Sequence, residues 1–154
     1  MADNYTANAG TGGDTFAADD VSGVKFARVK VVCGSDGVAQ DNWTPFRLIS
    51  AASTNATSVK ASAGSVGFIH ATNLNAAARF LKLYNKASAP TVGTDTPIAT
   101  LVIPGNTAGA GFVLPITGGV FFSTGIAYAV TGAYADADTT AVAAGEVFIF
   151  GGYA

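Results

Sequence analysis

Short segments in which apolar and polar side chains alternate recur along this chain, and they limit the folds that it can adopt. In VKFARVKVVC, residues 24–33, Val29 and Val31 alternate with Arg28 and Lys30. Alternation of period two places one side of a strand in a core and the other side in water. It therefore predicts a half-buried β-strand, which ends at the turn sequence GSDG.

The same pattern returns at intervals of roughly 8 to 15 residues, separated by Gly, Pro, Asn, Asp and Ser. The further strand candidates, with their first residue numbers, are FRLIS (46), SVKAS (58), SVGFIHA (65), IATLVI (98), GFVLP (111), GVFFS (119), IAYAV (126) and EVFIF (146). Strands do not alternate with long helical patterns, which disfavours a parallel α/β sheet. We predict an all-β fold over residues 24–154, an antiparallel β-sandwich of jelly-roll or immunoglobulin-like type.

Residues 73–87, NLNAAARFLKLYNKA, allow two interpretations. The alanines and leucines could form one face of a helix. In RFLKLYN, however, Leu81 and Leu83 form one apolar side of a strand, while Lys82 and Tyr84 belong to an amphipathic other side. We therefore predict a strand here, followed by the loop KASAPTVGTDTP, whose prolines prevent regular strand pairing.

Residues 1–23 differ in composition from the rest of the chain. They are rich in Gly, Ala, Asn, Thr and Asp, and Tyr5 and Phe16 are isolated aromatics. Such a segment has too little apolar surface to pack alone. We predict a flexible, extended N-terminal arm over residues 1–23, followed by the sandwich domain over residues 24–154.

Charge is sparse and arranged in blocks. Charged residues make up 12% of the chain and the net charge is -2. Residues 1–24 and 87–154 are acidic, whereas residues 25–86 are basic. These blocks could attract each other within or between molecules, or they could simply solvate exposed strand faces. The isoelectric point of about 5.0 argues against a nucleic-acid partner.

No constellation of residues points to catalysis or to a bound cofactor. The chain has one histidine, His70, and one cysteine, Cys33, which cannot supply a usual zinc site. No G-x-S-x-G elbow is present, and no P-loop lysine follows the glycines near the N-terminus. The two carboxylates of DADTT, residues 136–140, are too few for calcium. We expect no catalytic, cofactor-binding or metal-binding residue, a structural role for His70, and a protein that is not an enzyme.

Aromatic residues in irregular segments are the best candidates for an interface. Trp43 lies in QDNWTPF with Arg47 close by, and Tyr5 and Phe16 lie on the predicted arm. Trp and Arg dominate binding energy where they are desolvated. We predict that these four residues contribute to an interface, with the alternative that Trp43 merely caps the sandwich.

A longer succession of residues carries a family resemblance. ARFLKLYNKASAPTVGTDTPIATLVIP, then a Gly-rich strand, FFSTGIAYAVTGAYADADTTAV and an apolar final strand resemble a family of small structural proteins of tailed bacteriophages. The likeness covers roughly residues 20–154 and is strongest from 79 to 142. It implies a component of the virion rather than an enzyme, and it transfers no catalytic motif.

Together these features lead to one functional hypothesis and two alternatives. We expect a capsid decoration (cement) protein that braces neighbouring major capsid protein subunits as a homo-oligomer, a dimer or a trimer. The first residues have neither a basic start nor an apolar stretch, so we expect synthesis in the host cytoplasm, a location on the capsid surface, and no membrane partner. The alternatives are a tail, fibre or head-to-tail component, and a carbohydrate-binding module with Trp43 and Tyr84 exposed.

Overall fold

The computed structural model describes residues 4–6, 15–22, 24–27, 43–106 and 111–154, and none of these residues is helical. The chain divides into two compact units, Met1–Val32 and Cys33–Ala154. The strands are β1 Asn4–Thr6, β2 Thr15–Val21, β3 Val24–Ala27, β4 Thr44–Ile49, β5 Thr57–Lys60, β6 Gly64–Asn73, β7 Arg79–Asn85, β8 Ala99–Ile103, β9 Gly111–Phe122, β10 Ile126–Thr131 and β11 Val147–Tyr153. The prediction of an all-β fold is confirmed for the described residues.

The first unit contains a three-stranded antiparallel sheet in the order β1-β2-β3. The predicted boundary between residues 23 and 24 falls between β2 and β3, which pair with each other. Val24–Ala27 therefore pairs within this small sheet, and the division into an arm over residues 1–23 and a sandwich domain over residues 24–154 stays a prediction. The rest of that predicted strand, with Cys33, lies outside the described residues. The mobility of residues 1–23 stays a prediction.

The second unit contains two four-stranded antiparallel sheets. We call β4-β11-β6-β9 the front sheet and β5-β10-β7-β8 the back sheet. Their inward side chains form one apolar core, to which both sheets contribute. Phe46 of the front sheet stacks on Tyr128 of the back sheet, with ring centroids 6.0 Å apart. The two sheets thus form a β-sandwich, as the sequence predicts.

The predicted strands of the second unit all appear. RFLKLYN is β7 throughout, so the strand interpretation of residues 79–85 is confirmed. GFVLP and GVFFS, predicted as separate strands, are joined in β9. Gly119 allows this continuity because its φ of 76° lies in the left-handed region, which glycine adopts without steric cost. The pairing of β9 with β6 shifts register nearby, between Val66 and Phe68.

Two loops cover the middle of the outer face of the back sheet, while Val102 on its edge strand β8 is 54% exposed. Tyr84 is 1% exposed and packs with Ala127, Ala129 and Val92, which lies in the loop after β7. The loop after β10 covers Lys82, which is fully buried. The amphipathic side predicted for β7 is therefore not at the surface. The correction follows from these loops, because a period-two pattern describes one strand and cannot reveal what covers it.

Candidate functional site

The outer face of the front sheet, here called the front face, is the main candidate site. No loop of the described part of the chain covers it as the two loops cover the back sheet. Its outward side chains are mostly apolar: Trp43, Pro45, Arg47, Ile49, Phe68, His70, Thr72, Val113, Pro115, Phe148 and Phe150. Monomeric proteins rarely expose a large contiguous apolar patch without a function for it.

Strand register arranges these side chains in rows that cross the sheet. The central row contains Arg47, Phe150, His70 and Val113, which are successive partners on β4, β11, β6 and β9. Val113 is 70% exposed and Phe150 is 46% exposed. The His70 imidazole therefore has a solvent-exposed apolar side chain on each side of it in the row.

A shallow groove runs along one side of the central row. It has a volume of about 260 Å³ and is lined by Arg47, Leu48, His70, Thr72, Phe148, Ile149 and Phe150. The His70 Nε2 atom lies 3.4 Å from the Thr72 hydroxyl, within hydrogen-bonding reach. The walls are aromatic and aliphatic, and the polar groups are confined to one guanidinium, one imidazole and one hydroxyl.

Trp43 occupies one end of the front face. Its indole lies over Gly67, where an added Cβ would overlap the six-membered ring. A Cβ at Gly119 would come within 3.6 Å of the same ring, and one at Gly152 within 3.0 Å of the Trp43 Cβ. Three glycines on β6, β9 and β11 thus leave the space that the indole fills. The ring is partly buried and keeps one apolar surface at the end of the sheet.

The charge of the front face has one sign. Arg47 is exposed in the central row. The carboxylates of the second unit's described residues lie elsewhere: Asp95 binds Lys86, Asp138 binds the loop after β10, and Glu146 pairs with Arg79. Asp136 is on that same loop. Within residues 43–106 and 111–154, the front face therefore carries cationic and neutral groups without an acid.

The predicted interface residues fall into two places. Trp43 and Arg47 lie on the same face of β4 and its N-terminal approach, four residues apart, so the structure brings them to one surface. Tyr5 and Phe16 are direct register partners on β1 and β2 in the first unit. Whether these four residues form an interface stays a prediction.

Several front-face residues were not among the predicted site residues. The signal was present in VFIFGGY, where apolar residues occupy both sides of the strand: Val147 and Ile149 point inward, while Phe148 and Phe150 point outward. Apolar side chains on both faces of a strand indicate that both faces are covered or bind something. His70, expected to be structural, is on a strand as predicted but has its side chain exposed.

A second polar cluster lies beneath the loop after β10. The Lys82 ammonium donates to the carbonyl oxygens of Ala135 at 2.6 Å, Asp138 at 3.2 Å and Asp136 at 3.3 Å. Asp138 accepts hydrogen bonds from the backbone of Ala133 and from the Thr140 hydroxyl. These groups satisfy one another, so the cluster holds the loop in place and offers no open site.

Two further observations concern chemistry. In the residues that the structure describes, no three side chains of His, Cys, Asp or Glu gather where they could hold a metal ion. The described residues also contain no helix suited to crossing a membrane. Comparison with protein-family models, with curated proteins and with solved structures finds no match for this chain.

Proposed function

We propose that the sandwich is a jelly roll. Among its eight strands, the first pairs with the last (β4 with β11), the second with the seventh (β5 with β10), the third with the sixth (β6 with β9), and the fourth with the fifth (β7 with β8). A long antiparallel hairpin that rolls up on itself produces this nested pairing. Jelly rolls of eight strands occur in viral capsid and lectin domains, and the nesting favours this type over the immunoglobulin-like one.

We further propose that the protein is a structural component of a phage virion, specifically a capsid decoration protein that braces neighbouring major capsid subunits. The observation that carries this proposal is the contrast between the two outer faces of the sandwich. Loops cover the middle of the back sheet, where Lys82 and Tyr84 are buried, although the edge residue Val102 is strongly exposed. On the front face, by contrast, Ile49, Val113 and Phe150 are all exposed. A surface of this kind is expected of a protein that functions while packed against another one.

The alternatives have weaker support. A carbohydrate-binding module would stack sugars on the exposed rings of Trp43 and Tyr84, but Tyr84 is buried and one side of the Trp43 indole rests on Gly67. A tail, fibre or head-to-tail component would share the fold and the apolar face. It would differ in the number of copies per particle.

Quantitative mass spectrometry of purified virions tests the proposal. A decoration protein is expected in hundreds of copies per particle, in a fixed ratio to the major capsid protein. A few tens of copies or fewer would favour a tail or head-to-tail component, and absence from purified virions would overturn the virion assignment. Light scattering of the isolated protein would test the predicted dimer or trimer.

A further inference from the structure

We propose that the front face docks onto an apolar protein surface that places a carboxylate against Arg47 in the central row. This inference rests on the proposed function and names the chemistry of the contact, with the major capsid protein as the partner. It assigns the attachment to the front face and not to the loop-covered back of the sandwich.

The apolar side chains define the shape of the partner surface. Phe68 and Phe150 are in tilted contact, with ring centroids 5.5 Å apart, so they present a continuous aromatic surface beside the groove. The groove volume of about 260 Å³ lies below the range of roughly 300 to 1,000 Å³ for small-molecule pockets. It is large enough for a side chain of a partner protein. The surface is therefore suited to a flat, apolar protein contact with one inserted side chain.

Charge complementarity defines that inserted side chain. Arg47 is the one permanently charged residue of the described front face, and no described carboxylate lies there to neutralise it. Docking an apolar surface would remove the guanidinium from water, which is costly unless a partner supplies an anion and hydrogen-bond acceptors. Carboxylates match the planar guanidinium with two parallel hydrogen bonds. An Asp or Glu beside apolar groups is thus the complementary partner feature.

A second copy of this chain is a less suitable occupant. In a symmetric face-to-face dimer, the same patch meets itself. Two Arg47 guanidinium groups would then share one desolvated interface to which neither described front face brings a carboxylate. Like charges that meet in an interface make its formation less favourable, so they disfavour this symmetric dimer. The same arginine that favours an acidic partner therefore disfavours face-to-face self-association.

The test measures binding of the full-length protein to capsids stripped of it, at low and high salt. Arg47→Glu should weaken binding at least about 10-fold, and Arg47→Lys by less, since it keeps the charge but loses the planar fork. Phe150→Ser should also weaken binding about 10-fold by removing aromatic contact area. Raising salt from about 50 to about 500 mM should weaken the wild type more than Arg47→Ala, because screening acts on the charged contact.

Matched controls lie away from the front face. Lys60→Glu makes the same change in net charge, and Tyr134→Ser removes a ring that is 73% exposed on the loop after β10. Both should bind within about 2-fold of wild type, since surface changes outside a contact have little effect. Melting temperatures near that of the wild type would establish that each variant is folded.

The outcomes separate this inference from the function on which it rests. If wild-type protein binds stripped capsids and both Arg47→Glu and Phe150→Ser bind equally well, the docking face is wrong while the decoration role stands. If wild-type protein does not bind, the decoration role fails and the inference fails with it. If light scattering shows that the front-face variants break up a wild-type oligomer, the occupant is a second copy and the acidic partner is wrong.

Discussion

The Lys82 ammonium lies 2.6 Å from the carbonyl oxygen of Ala135, a residue 53 positions away in the sequence. Carbonyl oxygens of Asp136 and Asp138 complete its hydrogen bonds, and the side chain is fully buried. A lysine has three donors and almost never becomes fully buried without partners. This contact therefore fastens the loop after β10 onto the back sheet.

Replacing Lys82 by Met tests that role. The variant keeps most of the side-chain volume but leaves up to three loop carbonyls without their donor. We expect a loss of about 2 to 4 kcal/mol of unfolding free energy in urea titrations, together with faster proteolysis within residues 132–145. Lys60→Met, on a partly exposed side chain, should cost less than about 1 kcal/mol. Equal effects of the two substitutions would contradict the anchoring role of Lys82.

Asp138 should make stability depend on pH in acid. Partial burial alone raises its pKa, but hydrogen bonds from Thr140 and Ala133 and the nearby Lys82 ammonium outweigh burial and hold the pKa below the ordinary value of 3.8. Because the folded pKa is depressed, the carboxylate stabilises the fold above the unfolded value, and this stabilisation is lost as the pH falls through the folded pKa. Melting temperatures should therefore drop as the pH is lowered from 5 towards 2.

Thr140→Val provides the matched test for this pH dependence. It removes the hydroxyl that donates to Asp138 at 2.7 Å and preserves the shape of the side chain. The melting temperature of the variant should fall less steeply below pH 4, because the folded carboxylate has lost one stabilising donor. An unchanged acid slope in Thr140→Val would show that another group controls the transition. Asp95, whose pKa is lowered by its hydrogen bonds from Lys86 and Thr91, would be the next to replace.

The strands could be predicted from the sequence because alternation is a local signal. The period-two pattern locates β7 at Arg79–Asn85, and it correctly places Leu81 and Leu83 in the core. It could not place Lys82 or Tyr84, whose burial depends on loops from residues 86–98 and 132–146. Contacts between residues far apart in the sequence depend on topology, which local periodicity does not specify.

The candidate site was predictable to the same limited extent. Trp43 and Arg47 are both odd-numbered and four residues apart, so a strand extended back from residue 46 places them on one face. The sequence QDNWTPF, however, indicates an irregular segment at Trp43, so only their closeness in the sequence links the two residues at that level. Phe150 and His70 join them only through the order β4-β11-β6. That order places Arg47 and His70, which are 23 positions apart in the sequence, on either side of Phe150, which is 80 positions after His70. Local sequence patterns therefore pointed to Trp43 and Arg47 at the β4 edge of the front face, but not to Phe150 and His70 on its central strands.

The ion pair between Arg79 and Glu146 should be strongly coupled. The Arg79 Nη2 atom lies 2.5 Å from Glu146 Oε1, and the side chains are 16% and 5% exposed. The other oxygen, Oε2, accepts a hydrogen bond from the Ala143 amide, whereas Oε1 meets Arg79 as an ion pair without hydrogen-bond geometry. Removing one partner of a buried pair leaves the other charge unpaired, which costs about 3 to 5 kcal/mol.

A double-mutant cycle separates the pair from its surroundings. Arg79→Met and Glu146→Gln should each destabilise by a few kcal/mol in urea titrations, while the double variant should lose less than the sum by about 1 to 3 kcal/mol. Additive losses would mean that the two charges do not stabilise each other.

Replacing Tyr84 should not lower the free energy of unfolding, in contrast to the substitutions of Lys82, Arg79 and Glu146. Its hydroxyl is buried and has no hydrogen-bond partner in the described part of the chain. Burial, followed by the charges of Asp136 and Asp95, raises the pKa of this phenol. Tyr84→Phe removes an unsatisfied polar group and should be neutral or stabilise by up to about 2 kcal/mol. Tyr128→Phe acts on a phenol whose pKa is raised by burial and lowered in part by the neighbouring Thr57 side chain. It should instead cost about 1 kcal/mol, so equal losses in both variants would contradict the assignment.

Gly67 should control the position of the Trp43 indole. An alanine methyl group there would overlap the ring, so Gly67→Ala must move either the indole or strand β6. Because Trp43 is the one tryptophan in the chain, its fluorescence reports on this contact directly. We expect emission at longer wavelength in Gly67→Ala, since a displaced indole meets more water, and a loss of about 1 to 3 kcal/mol from overpacking.

Without the Trp43 indole, a methyl group at residue 67 should no longer overlap another side chain. Trp43→Ala alone loses the indole contacts, but adding Gly67→Ala to it should cost about 1 kcal/mol or less, because the methyl group then has space. Urea titrations of the two single variants and the double variant complete this cycle. If Gly67→Ala destabilises the Trp43→Ala background as much as the wild type, and the emission of the single Gly67→Ala variant is unchanged, then the glycine is required by the register shift between Val66 and Phe68 and not by the indole above it.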